Sequence, residues 1–335
     1  MSDLEKGFDI KGFSFAFGTK KGDLHTEHAR HSLELLAETG TEWIALCVDQ
    51  RVETKRSMEI RSNYNRNVSD IELIEFIKFV HEKGMKVCLK PMINCNDHSW
   101  RAEINFFDDA GSWAKYFYEY TGFICHFAEL AEYTGCEMLC LGCEMLGMEK
   151  QEKHWRELIA EVRKIYGGPL VYNTNHGHEN DAAWYDALDY LGTSAYFRMH
   201  KKDGKSGEYF QPLMDLDKED MLASWREVRD DMKNWSEKLG KKVIFMEIGC
   251  RSARGCACQP WDFKMQHLPF DEEEQALFYE SCMEVFEKED FFAGFFWWDW
   301  SAFVSEENVR PGDTGFGIYG KKAAKVLSEF YGKGK

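Results

Sequence analysis

No stretch of these 335 residues stays apolar for the roughly 20 positions a membrane-spanning helix requires. The opening MSDLEKGFDIKGF has neither the basic segment nor the apolar core of a secretory signal. Positive charge is scarce: 42 Lys and Arg stand against 58 Asp and Glu. The resulting net charge of −16 repels phosphate and argues against nucleic acid or an anionic membrane as partner. FAFGTKKGD, after the first strand-like run, is not the dinucleotide fingerprint, and no Walker-type sequence occurs. The strand ends lack the His and Asp clusters of metal-dependent hydrolases, so no metal and no cofactor is expected. Without a low-complexity linker or a shift in composition, the chain reads as one domain over 1–335.

What is present is a soluble globular composition, 44% hydrophobic and 30% charged, on a chain long enough to bury a sizeable core. Aromatics make up 15%, with 11 Trp. Such plates suit sugar faces, although core packing could use most of them. Eleven cysteines, several inside apolar runs (Cys47, Cys88, Cys140), read as reduced core residues and predict a cytoplasmic protein.

Short β-branched or aromatic runs alternate with longer amphipathic ones. Strand-like runs cover 12–17, 43–48, 85–91, 137–144, 169–175, 190–196, 242–249 and 293–300. Helical patterns lie between them, as in SDIELIEFIKFVHEKG, where Ser69 or Asp70 caps the start and Gly84 the end. Others span 113–133, 153–166, 221–239 and 272–287. Eight strands, each followed by a helix, predict a (β/α)8 TIM barrel.

In such a barrel the chemistry sits where strands meet the following loops. The strand ends carry Gln50 and Arg51; Lys90, Asn94, Trp100 and Arg101; Glu144; Asn173 and Asn175; Tyr196; Glu247; and Trp298, Asp299 and Trp300. His176 and His178 follow the fifth strand at the rim, where ligand contact is expected. The run VIFM ends on Glu247, a carboxylate that burial would penalise unless it is paired or faces a cleft. Two Glu residues across a pocket are the apparatus of glycoside hydrolysis, one protonated and one ionised. On spacing alone, structural ion pairs explain them equally well.

Several stretches go further: VETKRSMEIRS, VCLKPMINCNDHSWR, LCLGCEM, YNTNHGHENDAAWYDALDYLGTSAYF, FMEIGCRSARGCACQPWDF, and AGFFWWDW with the later PGDTGFGIYGKKA. In these the chain resembles glycoside hydrolase family 113, the β-mannanases of a retaining (β/α)8 clan. The resemblance spans 8–327 and implies Glu144 as general acid/base and Glu247 as nucleophile. It implies that Tyr196 orients the nucleophile and that Trp298 floors the sugar being cleaved. It also implies a cleft lined by Lys90, Asn94, Trp100, Arg101 and Asn175. Trp300, beside Trp298 at the end of the last strand, is taken as a further substrate contact. The substrate implied is a β-1,4-linked manno-oligosaccharide, cleaved by double displacement, and a monomer or weak homo-oligomer is expected. Three positions depart from the pattern: Cys143 where the clan has Asn, Met92 where the family often shows His, and His176 where it often shows Trp. They leave open a glucan or mixed-linkage preference, with a non-catalytic sugar-binding barrel as a further rival.

The connection FRMHKKDGKSGEYFQPLMDLD after the sixth strand is long enough to wall off one end of the cleft, which predicts exo-like action on short oligosaccharides. Cys140 and Cys143, three apart on a strand, should face opposite ways. Cys250, Cys256 and Cys258 are expected to be packed thiols, with a local disulfide or metal clip as the alternative. His25, His28 and His31 read as a polar helix face, and Glu149, Glu152 and the acidic run at Asp271 as solvated helix starts.

Overall fold

A computed structural model describes residues 7–202, 215–264 and 267–332. Its eight parallel strands close a barrel in chain order. They are β1 (Ile10–Phe15), β2 (Trp43–Val52), β3 (Lys86–Cys95), β4 (Met138–Cys143), β5 (Leu170–Asn175), β6 (Leu191–Ser194), β7 (Val243–Ile248) and β8 (Phe292–Trp300). The helices are α1 (Glu27–Glu38), α2 (Asp70–Glu82), α3 (Ala110–Thr134), α4 (Leu146–Glu149), α5 (Glu152–Arg163), α6 (Lys218–Leu239), α7 (Glu272–Phe286) and α8 (Lys322–Tyr331). This is the (β/α)8 barrel that the alternation predicts. The β5–β6 crossover departs from it: a 3-10 turn, Ala183–Ala187, takes the place of a helix. The turn covers the barrel with Trp184, whose ring stacks on Trp155 of α5 at 4.4 Å. Among the described residues no helix is long and apolar enough to cross a membrane.

Local chemistry sets the boundaries. Ser69 caps α2 and Glu72 reaches back to it in a capping box, while Gly84 follows the helix at φ +74°. β2 and β3 run past their expected ends and pair residue for residue from Trp43↔Lys86 to Val52↔Cys95. The two form a ribbon that lengthens one side of the barrel.

Alternation along the strands sorts side chains into two sets. Phe13, Leu46, Leu89, Leu139 and Phe245 face the helices, while Ala45, Cys88, Met138, Val171, Ile244 and Phe296 fill the barrel floor. Two strands break the rule near their ends. Cys140 lies in the floor, and Cys143 lies above it with Cys47, Met92 and Trp298, so both cysteines of the C-x-x-C face inward. An irregularity in the pairing of β4 with β5 between them supplies the extra residue that resets the alternation. Gly142 sits in that irregularity, where a Cβ would stand 2.7 Å from the Tyr120 hydroxyl. β7 has a matching shift between Phe245 and Ile248.

Two acids expected in solvent are buried. Glu149 accepts from the Tyr172 and Thr174 hydroxyls, each at 2.9 Å. Glu274 accepts from the Gly255 and Ala257 N–H groups at 2.5 and 2.8 Å, tying down the loop after β7, and burial pushes its pKa up to about 7. Glu152 stays at the surface with Arg156, and Asp271 caps α7. None of the eleven cysteines is disulfide-bonded, Cys250, Cys256 and Cys258 included. His25 and His31 sit at the surface and meet Glu75 and Glu306.

Candidate active site

The two irregular strands aim the site. On β7, regular alternation after the outward Phe245 and inward Met246 would turn Glu247 out toward the helices. The shift keeps it inside, where it is 4% exposed. On β4, Glu144 follows the bulge with φ +55°, a left-handed conformation that costs about 1–3 kcal/mol in a residue other than glycine. Its N–H donates to the Asn173 carbonyl at 2.7 Å, which holds the turn.

Glu247 is surrounded by donors. Its Oε1 accepts from the Lys90 ammonium at 2.6 Å, the Cys143 thiol at 3.2 Å and the Asn173 amide at 3.3 Å. Its Oε2 accepts from the Tyr196 hydroxyl at 3.3 Å. Burial works against the charge, yet Lys90, then Arg101, and the hydrogen bonds from Lys90 and Cys143 outweigh it and hold Glu247 below the usual carboxylate range. Glu144 goes the other way. Burial and then the negative charge of Glu247 raise it, and neither Arg101, 3.9 Å away, nor the Ser194 hydroxyl cancels the rise. The two acids are thus shifted apart, Glu144 toward holding its proton and Glu247 toward losing it.

The remaining expected residues divide. Lys90 does not line an open cleft: it is wholly buried, with its ammonium on Glu247. Asn94 donates to the Asp49 carboxylate, which also takes Arg51 at 3.2 Å. Arg101 is largely buried, and its Nε has no partner among the described residues. Trp100 is half exposed. Asn175 is buried, and its Oδ1 likewise has no partner among the described residues. The His176 ring stacks on Trp261 at 5.4 Å, and burial pushes its pKa down to about 4, so it is neutral near pH 7. His178 is partly exposed and meets Asp181 at 2.8 Å. Trp298 packs against Cys47, Met92 and Cys143 and meets Phe17 at 4.9 Å.

Trp300 corrects the expectation of a substrate contact. Regular alternation would put it on the face of Trp298, but it turns to the helix layer instead. It is 1% exposed, and its indole N–H donates to the Ser32 carbonyl and hydroxyl of α1, both at 3.0 Å. Its ring packs edge-on to Phe13 in the layer between barrel and helices. Trp300 therefore belongs to the core.

Asn173, named among the strand ends but given no role there, shares one face of β5 with Asn175, as their spacing of two requires. Two further contributors are not marked by the sequence. Ser194 bonds Glu144 and donates to the side-chain carbonyl of Asn173 at 3.2 Å. Trp261, in the loop after β7, is brought to His176 by tertiary folding alone.

A sequence profile of Glycoside Hydrolase Family 113 matches residues 13–321. No curated protein matches the sequence. Among solved structures, the chain is similar to a GH113 β-1,4-mannanase at 33% identity and a TM-score of 0.86, covering 97% of this chain and 99% of that one. It is equally similar to the GH113 β-mannanase of Alicyclobacillus acidocaldarius in complex with ManMIm, at 33% identity and TM-score 0.86 over 100% of both chains. The β-glucuronidase of Ruminococcus gnavus, at 15% identity and TM-score 0.63 over 97% of this chain and 50% of that one, shares the fold alone. A glycoside hydrolase is what the oppositely held carboxylates and these likenesses describe, and the chain belongs to glycoside hydrolase family 113.

Proposed function

We propose that the enzyme hydrolyses β-1,4-mannosidic bonds with retention of configuration, Glu247 attacking the anomeric carbon and Glu144 serving first as acid, then as base. The observation that carries this reading is the contrast between two neighbouring acids at the ends of β4 and β7, Glu247 ringed by donors that pull its pKa down and Glu144 pushed up by burial and by Glu247. The β-mannanases among the similar structures support the sugar. In the first step Glu247 forms a bond to C1 while the glycosidic oxygen departs with the Glu144 proton. In the second, water attacks C1, its proton passes to Glu144, and Glu247 leaves as carboxylate. Trp298, Asn175, His176, Trp100 and Arg101 are the side chains assigned to the sugar.

The reading extends to short manno-oligosaccharides cleaved in exo-like fashion inside the cell. Eleven cysteines without a disulfide, ten of them buried, suit a reducing compartment. The exo-like part rests on the length of the segment after β6, of which 203–214 lie outside the described residues. The test is product analysis by NMR and mass spectrometry on β-linked manno-, gluco- and mixed-linkage oligosaccharides, beside Glu144→Ala and Glu247→Ala. Retained activity in both variants would sink the site assignment. Cleavage of glucosides with mannosides untouched would overturn only the sugar. Polymeric mannan cut as fast as mannotetraose would overturn exo-like action, and a secreted enzyme on cell fractionation would overturn the location.

A further inference from the structure

Lys90 rises from the middle of β3 into the barrel with no exposed surface. Its ammonium meets Glu247 Oε1 at 2.6 Å and the Met246 carbonyl at 3.4 Å. After Glu247, the groups acting on it most are the thiols of Cys143, Cys47 and Cys140, which burial keeps protonated, and its charge also reaches Glu144, more weakly than that of Arg101 does. The same Oε1 takes Cys143 and Asn173, so one oxygen of the nucleophile is anchored by three donors. Oε2 carries the Tyr196 bond at 3.3 Å and is the oxygen left to react.

Both cations act on both acids, but the nearest one differs: Lys90 touches Glu247, and Arg101 stands 3.9 Å from Glu144. Negative charge changes place during the first step. As Glu247 Oε2 bonds to C1 and the Glu144 proton leaves on the departing oxygen, Glu247 becomes a neutral ester and Glu144 a carboxylate. The total charge is constant, but the anion has moved from the partner of Lys90 to that of Arg101. Lys90 is then a fully buried ammonium in contact with an ester, left with only its weaker charge interaction with Glu144, and a buried charge that loses its contact counter-ion is disfavoured. The second step reverses it. Water supplies its oxygen to C1 and a proton to Glu144, and the electron pair of the breaking C1–O bond returns to Glu247 beside Lys90.

We propose that Lys90 is a positioning residue that anchors Oε1 so that Oε2 attacks, and that its buried charge destabilises the glycosyl-enzyme, making formation of that intermediate the slow step of turnover. This role rests on the double displacement proposed at Glu247. It is tested with aryl β-mannosides whose phenols differ in acidity, from phenyl to 2,4-dinitrophenyl. For the unaltered enzyme kcat rises with phenol acidity, and no burst precedes steady state. Lys90→Met, or Lys90→Gln if the first variant does not fold, instead gives a burst of about one phenolate per site. On acid quench its Glu247 peptide carries a hexose. The acidic limb of its kcat/KM profile moves up by about one unit or more, because the cation beside Glu247 is gone. A kcat in the unaltered enzyme that ignores the phenol overturns the proposal, as does a Lys90 variant without burst and with an unmoved acidic limb. Full activity in Glu247→Ala would instead remove the mechanism beneath it, so the two failures are distinct.

Discussion

The ends of β4 and β7 carry the same residue type at similar depth, yet shift its pKa in opposite directions. Glu247 has a lysine in contact and hydrogen bonds from Cys143, Asn173 and Tyr196. Glu144 has an arginine at 3.9 Å and the hydroxyl of Ser194, too little to offset burial and the charge opposite. Burial pushes both upward, so it does not distinguish them. The number and closeness of donors decide, and the ionised partner then raises its neighbour further.

Removing either carboxylate is the largest way to break this asymmetry. Glu247→Ala should lower kcat on the order of 10^4-fold or more for every substrate. Glu144→Ala should cost about 10^2- to 10^4-fold on oligosaccharides, and far less in the first step with 2,4-dinitrophenyl glycosides, whose leaving group needs no proton. Added azide separates the roles. It should yield the α-glycosyl azide from the Glu247 variant and the β-azide from the Glu144 variant, read by NMR.

A second comparison lies along β8, between Trp298 and Trp300. Trp300→Ala should destabilise the fold by about 3–5 kcal/mol in urea titration, with kcat/KM little changed in the remaining folded enzyme. Trp298→Ala should leave the urea midpoint nearly in place and lower kcat/KM about tenfold, the equivalent of one lost stacking contact. Reversed outcomes would exchange the two residues between core and cleft.

The barrel was legible because eight apolar runs and their capped helices repeat a physical period that little else satisfies; Ser69, Glu72 and Gly84 punctuate α2 as their chemistry requires. Both acids were legible as strand-end carboxylates. Their aim was not. Strict alternation puts Glu247 on the helix side and separates Cys140 from Cys143, and only the irregularities in β4 and β7 reverse this. A bulge depends on pairing with a neighbouring strand, so a one-dimensional pattern does not contain it. The same limit explains Trp300, whose face is set by β8's own irregular pairing with β1 and β7. It also explains Glu274, whose run of acids looks solvated until the loop after β7 folds back on it.

Arg101 offers a finer test, because its charge reaches both acids. It lowers Glu144 and is the second cation, after Lys90, that lowers Glu247. The kcat/KM profile should be a bell, rising as Glu247 ionises below the usual carboxylate range and falling as Glu144 ionises above it. Without the guanidinium, both carboxylates lose help in carrying negative charge, so both protonate at higher pH. Arg101→Met should therefore move the whole bell upward, by roughly one unit, whereas a Lys90 variant moves chiefly the acidic limb. An Arg101 variant that shifted one limb alone would show that its charge serves a single acid.

Cys143 should give the smallest effect and the sharpest reading of the donor set. Its thiol donates to Glu247 Oε1 at 3.2 Å and accepts from the Asn173 amide at the same distance. Burial and then the charge of Glu247 push the thiol well above its ordinary range, so it stays neutral and acts as a weak donor and not as a base. Losing one weak thiol donor to the carboxylate, worth about 1 kcal/mol, should reduce kcat roughly fivefold in Cys143→Ala and raise the acidic limb slightly. Serine keeps a donor at the same point, and a stronger one, so Cys143→Ser should restore the rate and return the limb to its place or below. Equal losses in both variants, with the acidic limb unmoved, would mean that the thiol fills space beneath Trp298 and that Lys90 and Asn173 anchor Oε1 without it.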